Sequence, residues 1–171
     1  DRTVTSYDES VLRPASVVTF TGVDGGRKTG ETRWTYDGYG NVLSEKSAPY
    51  SSTAFVGDTY AYDNNGRFIK YKTDALGRTT SYTLYNSYGS PMIVVDPKGR
   101  STYYSYDCFG NVTRKRYPDL SEETVATEWG GEGLYTVTKS VTQQPTTKIH
   151  YNAAGREVRS EVQRFDGTWL V

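Results

Sequence analysis

The sequence has little of what most enzyme sites require. Its 171 residues include one histidine, His150, and one cysteine, Cys108. A nucleophilic site needs a serine or cysteine held against a base that a third group orients, and a zinc site needs about four ligands. Neither residue stands in a recognisable nucleophile motif, so we interpret His150 as a packed strand residue. We predict no catalytic residue, no metal and no cofactor, and hence no enzyme.

Net charge and long apolar runs are also missing. Twenty basic and twenty acidic residues cancel, which argues against nucleic acid as a partner. No apolar run is long enough to cross a bilayer, so we predict no transmembrane segment. Leucine, isoleucine and phenylalanine are few, but sixteen tyrosines and three tryptophans supply apolar area, and the high net charge of a disordered chain is absent. We therefore predict a folded chain. Because it starts at Asp1 without a methionine, we expect a piece of a longer polypeptide.

What the sequence does contain is one short phrase, repeated. The phrase is Asp or Asn, two free residues and Gly, and between Tyr62 and Tyr117 it recurs at steps of 11, 12, 10 and 11 residues. Tyrosine often stands directly before it. The copies in the chain are Asp37 with Gly40, Asp63 with Gly66, Asp74 with Gly77, Asn86 with Gly89, Asp96 with Gly99, Asp107 with Gly110, and Asn152 with Gly155.

Such a phrase is typical of the tip of a β-hairpin. A type I turn favours Asp or Asn first and Gly fourth, and a left-handed Gly closes the hairpin through a bulge. Tips about 11 residues apart leave room for one ordinary strand between them, and no segment shows a helical period. We predict an all-β fold: a repetitive antiparallel ribbon of β-hairpins in a twisted, curved, open sheet. The phrases are structural repeat turns, not ligand sites.

The rest of the chain follows the same plan with local changes. Residues 1–35 are a divergent start with strands at Thr3–Tyr7, Ser16–Thr21 and Glu31–Tyr36, Pro14 interrupting before the second of them. We expect an inserted loop over Ser47–Ser52. Further tips are expected at Asp24–Gly26, near Asp119, at 130–133, at 143–145 and at 166–167. The clearest repeats lie at 62–117, and we interpret 1–171 as a single repeat domain.

The phrase carries a family resemblance. Tyr36-Asp37-Gly38-Tyr39-Gly40-Asn41, Tyr62-Asp63-Asn64-Asn65-Gly66-Arg67 and Tyr106-Asp107-Cys108-Phe109-Gly110-Asn111 resemble the YD repeats of the Rhs family, whose relatives include toxin-complex shells and teneurins. The resemblance implies a non-enzymatic segment of a large bacterial protein, secreted or at the cell surface. The segment would form part of a β-shell that encloses or presents a cargo or toxin domain. Its partners would be the flanking repeats and the cargo domain of the same polypeptide.

Two motifs invite a chemical interpretation. Asp63-Asn64-Asn65-Gly66 faintly resembles a calcium loop, but it lacks the alternating acids and the distal Glu of that loop. Asp96-Pro97-Lys98-Gly99 is similar to the sequence at which Rhs proteins cut off their toxin by autoproteolysis, but here more repeats follow it. We interpret both as ordinary turns.

Aromatic residues leave one functional alternative open. The aromatic residues Trp34, Tyr36, Tyr39, Tyr60 and Tyr62 lie close in sequence. Such rings stabilise sheets through cross-strand pairs, and exposed Tyr and Trp rings also bind sugars, so a carbohydrate-binding surface is the alternative function. Open sheet edges further predict some pairing between copies, giving an edge-strand homodimer.

Overall fold

The computed structural model of the protein describes residues 2–22, 26–50 and 52–171, and they form an all-β structure. A three-residue 3-10 turn, Gly131–Gly133, lies between two of the strands. Within the described residues no helix has the length and apolar character needed to cross a membrane. The strands are β1 Arg2–Asp8, β2 Arg13–Thr21, β3 Arg27–Tyr36, β4 Val42–Pro49, β5 Val56–Tyr62, β6 Ile69–Thr73, β7 Thr79–Tyr85, β8 Pro91–Val95, β9 Ser101–Tyr106, β10 Val112–Arg116, β11 Glu122–Trp129, β12 Tyr135–Val141, β13 Thr147–Tyr151, β14 Glu157–Gln163 and β15 Trp169–Leu170.

The strands follow one another in the sheet in the order of the sequence. Each is hydrogen-bonded to the next, from β1 to β15, in one antiparallel sheet. The first and last strands do not pair with each other in the described part of the chain, so the sheet is open. The predicted all-β fold, hairpin ribbon and open sheet are therefore confirmed. Contacts divide the chain into two units, residues up to 82 with 96–98, and residues 83–95 with 99–171.

In the first unit, polar cross-strand pairs join neighbouring strands. Hydroxyl groups share hydrogen bonds of 2.8–2.9 Å between opposite residues, and Lys72 Nζ lies 2.7 Å from Asp58 Oδ2 across β5 and β6. Pairs of this kind each stabilise a sheet by about 0.2–1 kcal/mol relative to alanine. The hydroxyl pairs are Ser6–Ser16, Thr32–Ser47 and Thr35–Ser44.

The second unit combines such pairs with aromatic stacking. Glu122 accepts hydrogen bonds from Arg114, and Lys139 Nζ lies 2.6 Å from Glu123 Oε1. Across β11, β12 and β13, the Tyr135 ring stacks on Tyr151 and packs at a tilt of 41° against Trp129. These contacts hold strand to strand within one layer.

The sheet has almost no buried core. Among the described residues other than glycine, Ala48 and Glu161 are the most buried, at 4% and 9% exposed, and no large side chain is fully enclosed. A sheet that no second layer covers cannot bury its side chains on either face. The stability of this molecule therefore rests on backbone ladders, cross-strand pairs and the turns that set the register.

Two local predictions were wrong. Pro14 lies inside β2 and faces Tyr7 where the register shifts, and a proline is tolerated at such a bulge because the ladder is interrupted there. The expected loop at 47–52 starts later, because β4 continues to Pro49, opposite Gly30 of the long strand β3. Of the predicted turn Asp24–Gly26, the first two residues lie outside the described residues.

Candidate functional site

The repeated phrases form the connections, here called tips, between consecutive strands. At the tip between β3 and β4, the Gly40 amide donates to the Asp37 carbonyl at 3.0 Å, and the Asp37 amide donates to the Asn41 carbonyl at 3.0 Å. Gly40 has a φ of 82°, in the left-handed region that glycine adopts cheaply. This is a type I turn closed by a bulge, and it sets the register of the two strands.

The acidic side chain of the phrase accepts hydrogen bonds from backbone amides of its own turn. Asp107 Oδ1 accepts hydrogen bonds from the amides of Phe109 and Asn111, both at 2.9 Å, and Oδ2 accepts one from the Asn111 side chain at 3.0 Å. The side chain and then the backbone of Asn111 lower the pKa of Asp107 by stabilising its charged form. The carboxylate is thus occupied by the chain's own backbone.

Two of the predicted tips start with asparagine instead of aspartate. The Gly89 amide donates to the Asn86 carbonyl at 3.1 Å, and the Gly155 amide donates to the Asn152 carbonyl at 2.9 Å. The φ of Gly89 is 86° and that of Gly155 is 72°. In both tips the asparagine side-chain oxygen accepts the same two backbone hydrogen bonds as the aspartate carboxylate does. The turn therefore needs an acceptor at its first position and does not need a charge there.

The structure places every predicted turn residue at a tip. In each phrase the glycine has a φ between 64° and 86°. The seven tips are Asp37 with Gly40, Asp63 with Gly66, Asp74 with Gly77, Asn86 with Gly89, Asp96 with Gly99, Asp107 with Gly110, and Asn152 with Gly155.

Other tips use a residue that is not glycine in the left-handed position. Leu12, Leu120 and Gln143 have φ values of 53°, 68° and 62°. The tip expected near Asp119 starts at Tyr117, whose carbonyl accepts from the Leu120 amide at 3.0 Å. The sequence pattern marks these tips by spacing alone, because the glycine that identifies the others is missing.

Tyrosines before the phrase bind the neighbouring strand. The hydroxyl of Tyr62, at the end of β5, donates to the carbonyl of Val42 at 3.1 Å, and that of Tyr106 donates to Pro91 at 2.8 Å. Tyr36 does the same to Pro14 at 2.7 Å. In all three cases the acceptor lies two residues after the left-handed residue of the preceding odd-to-even tip. Burial raises the pKa of Tyr62 and Tyr106 by disfavouring the phenolate.

These tyrosines occur at alternate tips only. They precede connections from an odd-numbered to an even-numbered strand, whereas Thr73 and Val95 stand before the phrases at the intervening connections. Since connections of one type lie on one edge of an antiparallel meander, each unit has a tyrosine edge and a plain edge. The structural repeat is therefore two strands long. The alternation is visible in the sequence, but the regular spacing of about 11 residues hides it.

In the first unit, successive tips on the tyrosine edge also contact each other. The Tyr39 ring lies against Gly66 of the next tip, so closely that a methyl group on Gly66 would overlap it. Asn41 Nδ2 donates to the Gly66 carbonyl at 2.6 Å. Glycine at 66 is thus required twice, by its φ of 64° and by the close approach of the ring.

His150, Cys108 and Asp63 are the residues that we considered for catalysis or metal binding, and each is described by its contacts in the sheet or in a turn. His150 Nδ1 and Thr136 Oγ1 share a hydrogen bond of 3.0 Å, and His150 Nε2 lies 3.3 Å from Glu161 Oε1. Cys108 is exposed at a tip. Asp63 Oδ1 accepts from two backbone amides of its own turn. Within the part of the chain that the structure describes, no group of three or more His, Cys, Asp or Glu side chains could hold a metal.

Most rings of the aromatic cluster at residues 34–62 are partly buried by the rest of the sheet. Trp34, Tyr36, Tyr60 and Tyr62 are half-buried, and only Tyr39 is largely exposed. Sequence reasoning missed the most exposed tryptophan, Trp129, which lies outside that cluster. Strand periodicity places a residue on a face but does not tell whether anything covers it.

Comparisons with known proteins give a match of fold. No family model and no curated protein sequence matches the chain. The crystal structure of TcdB2-TccC3 without its hypervariable C-terminal region matches 98% of the chain at a TM-score of 0.65 and 14% identity. The crystal structure of TcdB2-TccC3-Cdc42 matches 94% at the same TM-score and identity. The chain spans about 9% of the length of either structure's chain. It therefore shares the fold of a segment of TcdB2-TccC3, a YD/Rhs-repeat toxin complex.

Proposed function

We propose that this chain is a non-enzymatic structural segment of a large YD/Rhs-repeat protein and forms part of the wall of a β-shell. The shell would enclose or present a cargo or toxin domain of the same polypeptide, in a protein that a bacterium secretes or carries at its surface. The observation that carries the proposal is the sequential order of the fifteen antiparallel strands formed by the described residues, in a fold shared with a segment of a toxin complex.

The chemistry of the repeats supports a wall. The acidic groups of the tips are bound to their own backbone, and the tyrosine hydroxyls of one edge are bound to the preceding strand. Groups that are bound in this way set the geometry of the sheet and are not free to activate a substrate. A ribbon of this kind lengthens by adding hairpins, because each new pair of strands needs only its neighbour to pair with.

The proposal is tested on the intact parent polypeptide. Its complete sequence, from mass spectrometry or the encoding reading frame, should contain many more Tyr-Asp-x-x-Gly units on both sides of this segment and a non-repeat domain. Electron microscopy of that polypeptide should then show a hollow particle with this segment in its wall. The proposal that this chain is part of a shell wall would be refuted if the parent polypeptide were scarcely longer than 171 residues. It would also be refuted if the particle were solid.

The absence of enzymatic activity is tested separately. The purified chain should hydrolyse none of a panel of glycosidic, ester and peptide substrates above the level of a denatured sample. An activity that one point substitution abolishes would contradict the non-enzymatic part of the proposal and leave the wall unaffected.

A further inference from the structure

A pocket in the second unit lies beside the tip that joins β10 to β11. It has a volume of about 380 Å³, which falls within the range of small-molecule sites. Its lining combines Ser101 and Tyr103 of β9 and Arg116 of β10 with Pro118 and Leu120 of the tip. The pocket therefore brings together a positive charge, hydroxyl groups and apolar side chains.

The register of the sheet brings the polar side chains of the pocket together. Arg116 lies directly opposite Tyr103 across β10 and β9, and residues that face each other in this way project from the same face of a sheet. Ser101 stands two residues before Tyr103 on β9 and shares that face. One guanidinium and two hydroxyl groups therefore line the same pocket from one face of the sheet.

The guanidinium of Arg116 is left without a hydrogen-bond partner in the sheet. Glu122 lies directly opposite Arg116 on β11, but its two carboxylate oxygens accept hydrogen bonds from Arg114. Arg116 Nε stays 3.8 Å from Glu122 Oε1, which is too far for a hydrogen bond. The Arg116 side chain therefore makes no hydrogen bond within the described residues and keeps its planar set of N–H donors for a ligand.

Other groups of the pocket are also available to a ligand. The side-chain hydroxyls of Ser101 and Tyr103 make no hydrogen bond within the described part of the chain, and Tyr103 is 47% exposed. Leu120, whose amide donates to the Tyr117 carbonyl at 3.0 Å, is 69% exposed at its tip. Arg100 lines the pocket too, but it already interacts within the chain, so we assign it no bond to the ligand. A ligand that satisfies these groups needs an oxyanion next to an apolar part.

We propose that this pocket binds a monocarboxylate that carries an apolar group, either a small aliphatic or aromatic acid or an acidic side chain flanked by apolar ones. The two carboxylate oxygens would accept paired hydrogen bonds from the Arg116 guanidinium, and the Tyr103 hydroxyl would donate a further one. The apolar part would pack on Pro118 and Leu120. The pocket lies within one unit of the chain, so this binding does not depend on the wall function.

The charge beside the pocket favours a carboxylate over a phosphate monoester. The cations Arg114 and Arg116 and the anion Glu122 leave one net positive charge there. A carboxylate neutralises that charge, whereas a phosphate monoester carries about two negative charges near neutral pH and would leave the second one close to Glu122. An exposed ion pair alone contributes little free energy, so the apolar contact has to supply part of the affinity.

The test is a titration of the isotope-labelled full chain near neutral pH with hexanoate and phenylacetate, each to tens of millimolar. In NMR spectra at least one acid should saturably shift the Tyr103 and Arg116 amides and the Arg116 side-chain Nε–H. Hexanamide and phenylacetamide keep the apolar part without the charge and should bind about tenfold more weakly or not at all. The blocked peptide acetyl-Leu-Asp-Leu-amide separates the two sources of the carboxylate. A higher affinity than that of either acid indicates a protein segment, and a lower affinity indicates a small acid.

Variants separate the pocket from a general attraction of anions. Arg116→Gln should weaken binding of the acid by about tenfold or more, and Arg116→Lys, which keeps the charge but loses the paired donors, should restore it only in part. Arg156→Gln is the matched control, because Arg156 is an exposed arginine of the same unit at another tip. Tyr103→Phe should weaken binding and leave the urea midpoint unchanged. If Arg116→Gln does not fold, Tyr103→Phe carries the test alone.

Four results would overturn the proposal. The first is the absence of a saturable shift with either acid, and the second is equal affinity for the acids and their amides. The third is an equal loss of binding in Arg116→Gln and Arg156→Gln, which would show attraction to net charge alone. The fourth is binding of phenyl phosphate about tenfold tighter than that of phenylacetate, which would make the pocket a phosphate site.

Discussion

At the scale of single residues, the tip carboxylates lead us to expect that acid destabilises the molecule. Backbone amides of Phe68 and Arg67 lower the pKa of Asp63, and Asn111 lowers that of Asp107. A carboxyl whose pKa is lower in the folded state contributes stability above its unfolded pKa and loses it as pH falls through its folded pKa. We expect the urea midpoint of unfolding to be steady near neutrality and to fall below about pH 4.

Substitutions at Asp107 test the origin of this acid sensitivity. Asp107→Asn keeps an oxygen for the two amides, as Asn86 and Asn152 do naturally, but it cannot titrate, so its midpoint should fall less steeply in acid. Asp107→Ala loses the acceptor and should unfold at lower urea at every pH. If the urea midpoint of the Asn variant has the same pH dependence as that of the unmodified chain, Asp107 does not contribute to the loss of stability in acid.

The tyrosines of the tyrosine edge contribute through their hydroxyls. Tyr106→Phe removes the donor to the Pro91 carbonyl while keeping the ring, and should cost about 1 kcal/mol of unfolding free energy. Tyr103→Phe on the same strand is the control, because the Tyr103 hydroxyl makes no hydrogen bond within the described residues. Equal unfolding free energies for the two variants in urea would show that the hydroxyl bond is not stabilising.

At the scale of elements, the contact between neighbouring tips predicts that alanine is more destabilising at Gly66 than at Gly77. Gly66 and Gly77 have φ values of 64° and 76°, but a methyl group would overlap Tyr39 at Gly66 and meet open space at Gly77. Gly77→Ala should cost about 1–2 kcal/mol for the left-handed backbone alone. Gly66→Ala should cost more, and Tyr39→Ala should recover part of the excess when added to it. Both are measured by urea unfolding, and equal costs would contradict the contact.

The sequence predicts these elements well where their turn chemistry is explicit. The all-β class, the hairpin order and the tip at each Asp-x-x-Gly phrase follow from turn preferences, as at Asp107 and Gly110. Leu12 and Gln143 adopt the glycine conformation without a glycine, so no local signal marks them. Trp129 is exposed because no second layer covers its face, and that depends on the whole fold, which periodicity does not report.

We expect two copies of the isolated chain to associate through the first strand of the sheet. In the described residues β1 pairs on one side only, with β2, and its other side presents backbone donors and acceptors. Antiparallel pairing of two β1 strands centred on Thr5 would place Arg2 of each copy opposite Asp8 of the other. We expect sedimentation velocity to show a dimer that grows with concentration and is weakened by Arg2→Asp. A strict monomer at the highest concentration reached would contradict it.

At the scale of the whole molecule, contacts are local along the chain. The strand pairs with substantial contact are consecutive ones, and few described side chains larger than alanine are deeply buried, Glu31 and Glu161 among them. In such a ribbon, stability is close to a sum over hairpins and their nearest neighbours. A single core that melts as one unit is not expected.

Local stability leads to a prediction about hydrogen exchange. The Tyr135 ring packs against both Trp129 and Tyr151, so Tyr135→Ala should remove about 1–2 kcal/mol of aromatic contact from the second unit. Exchange measured by mass spectrometry should accelerate in β11–β14, because those strands share the stack or its neighbours, and stay unchanged in β1–β4. Tyr135→Phe keeps the ring and should restore the protection. A uniform acceleration from β1 to β15 would show that the chain unfolds as one cooperative unit, and the additive description would then be wrong for this protein.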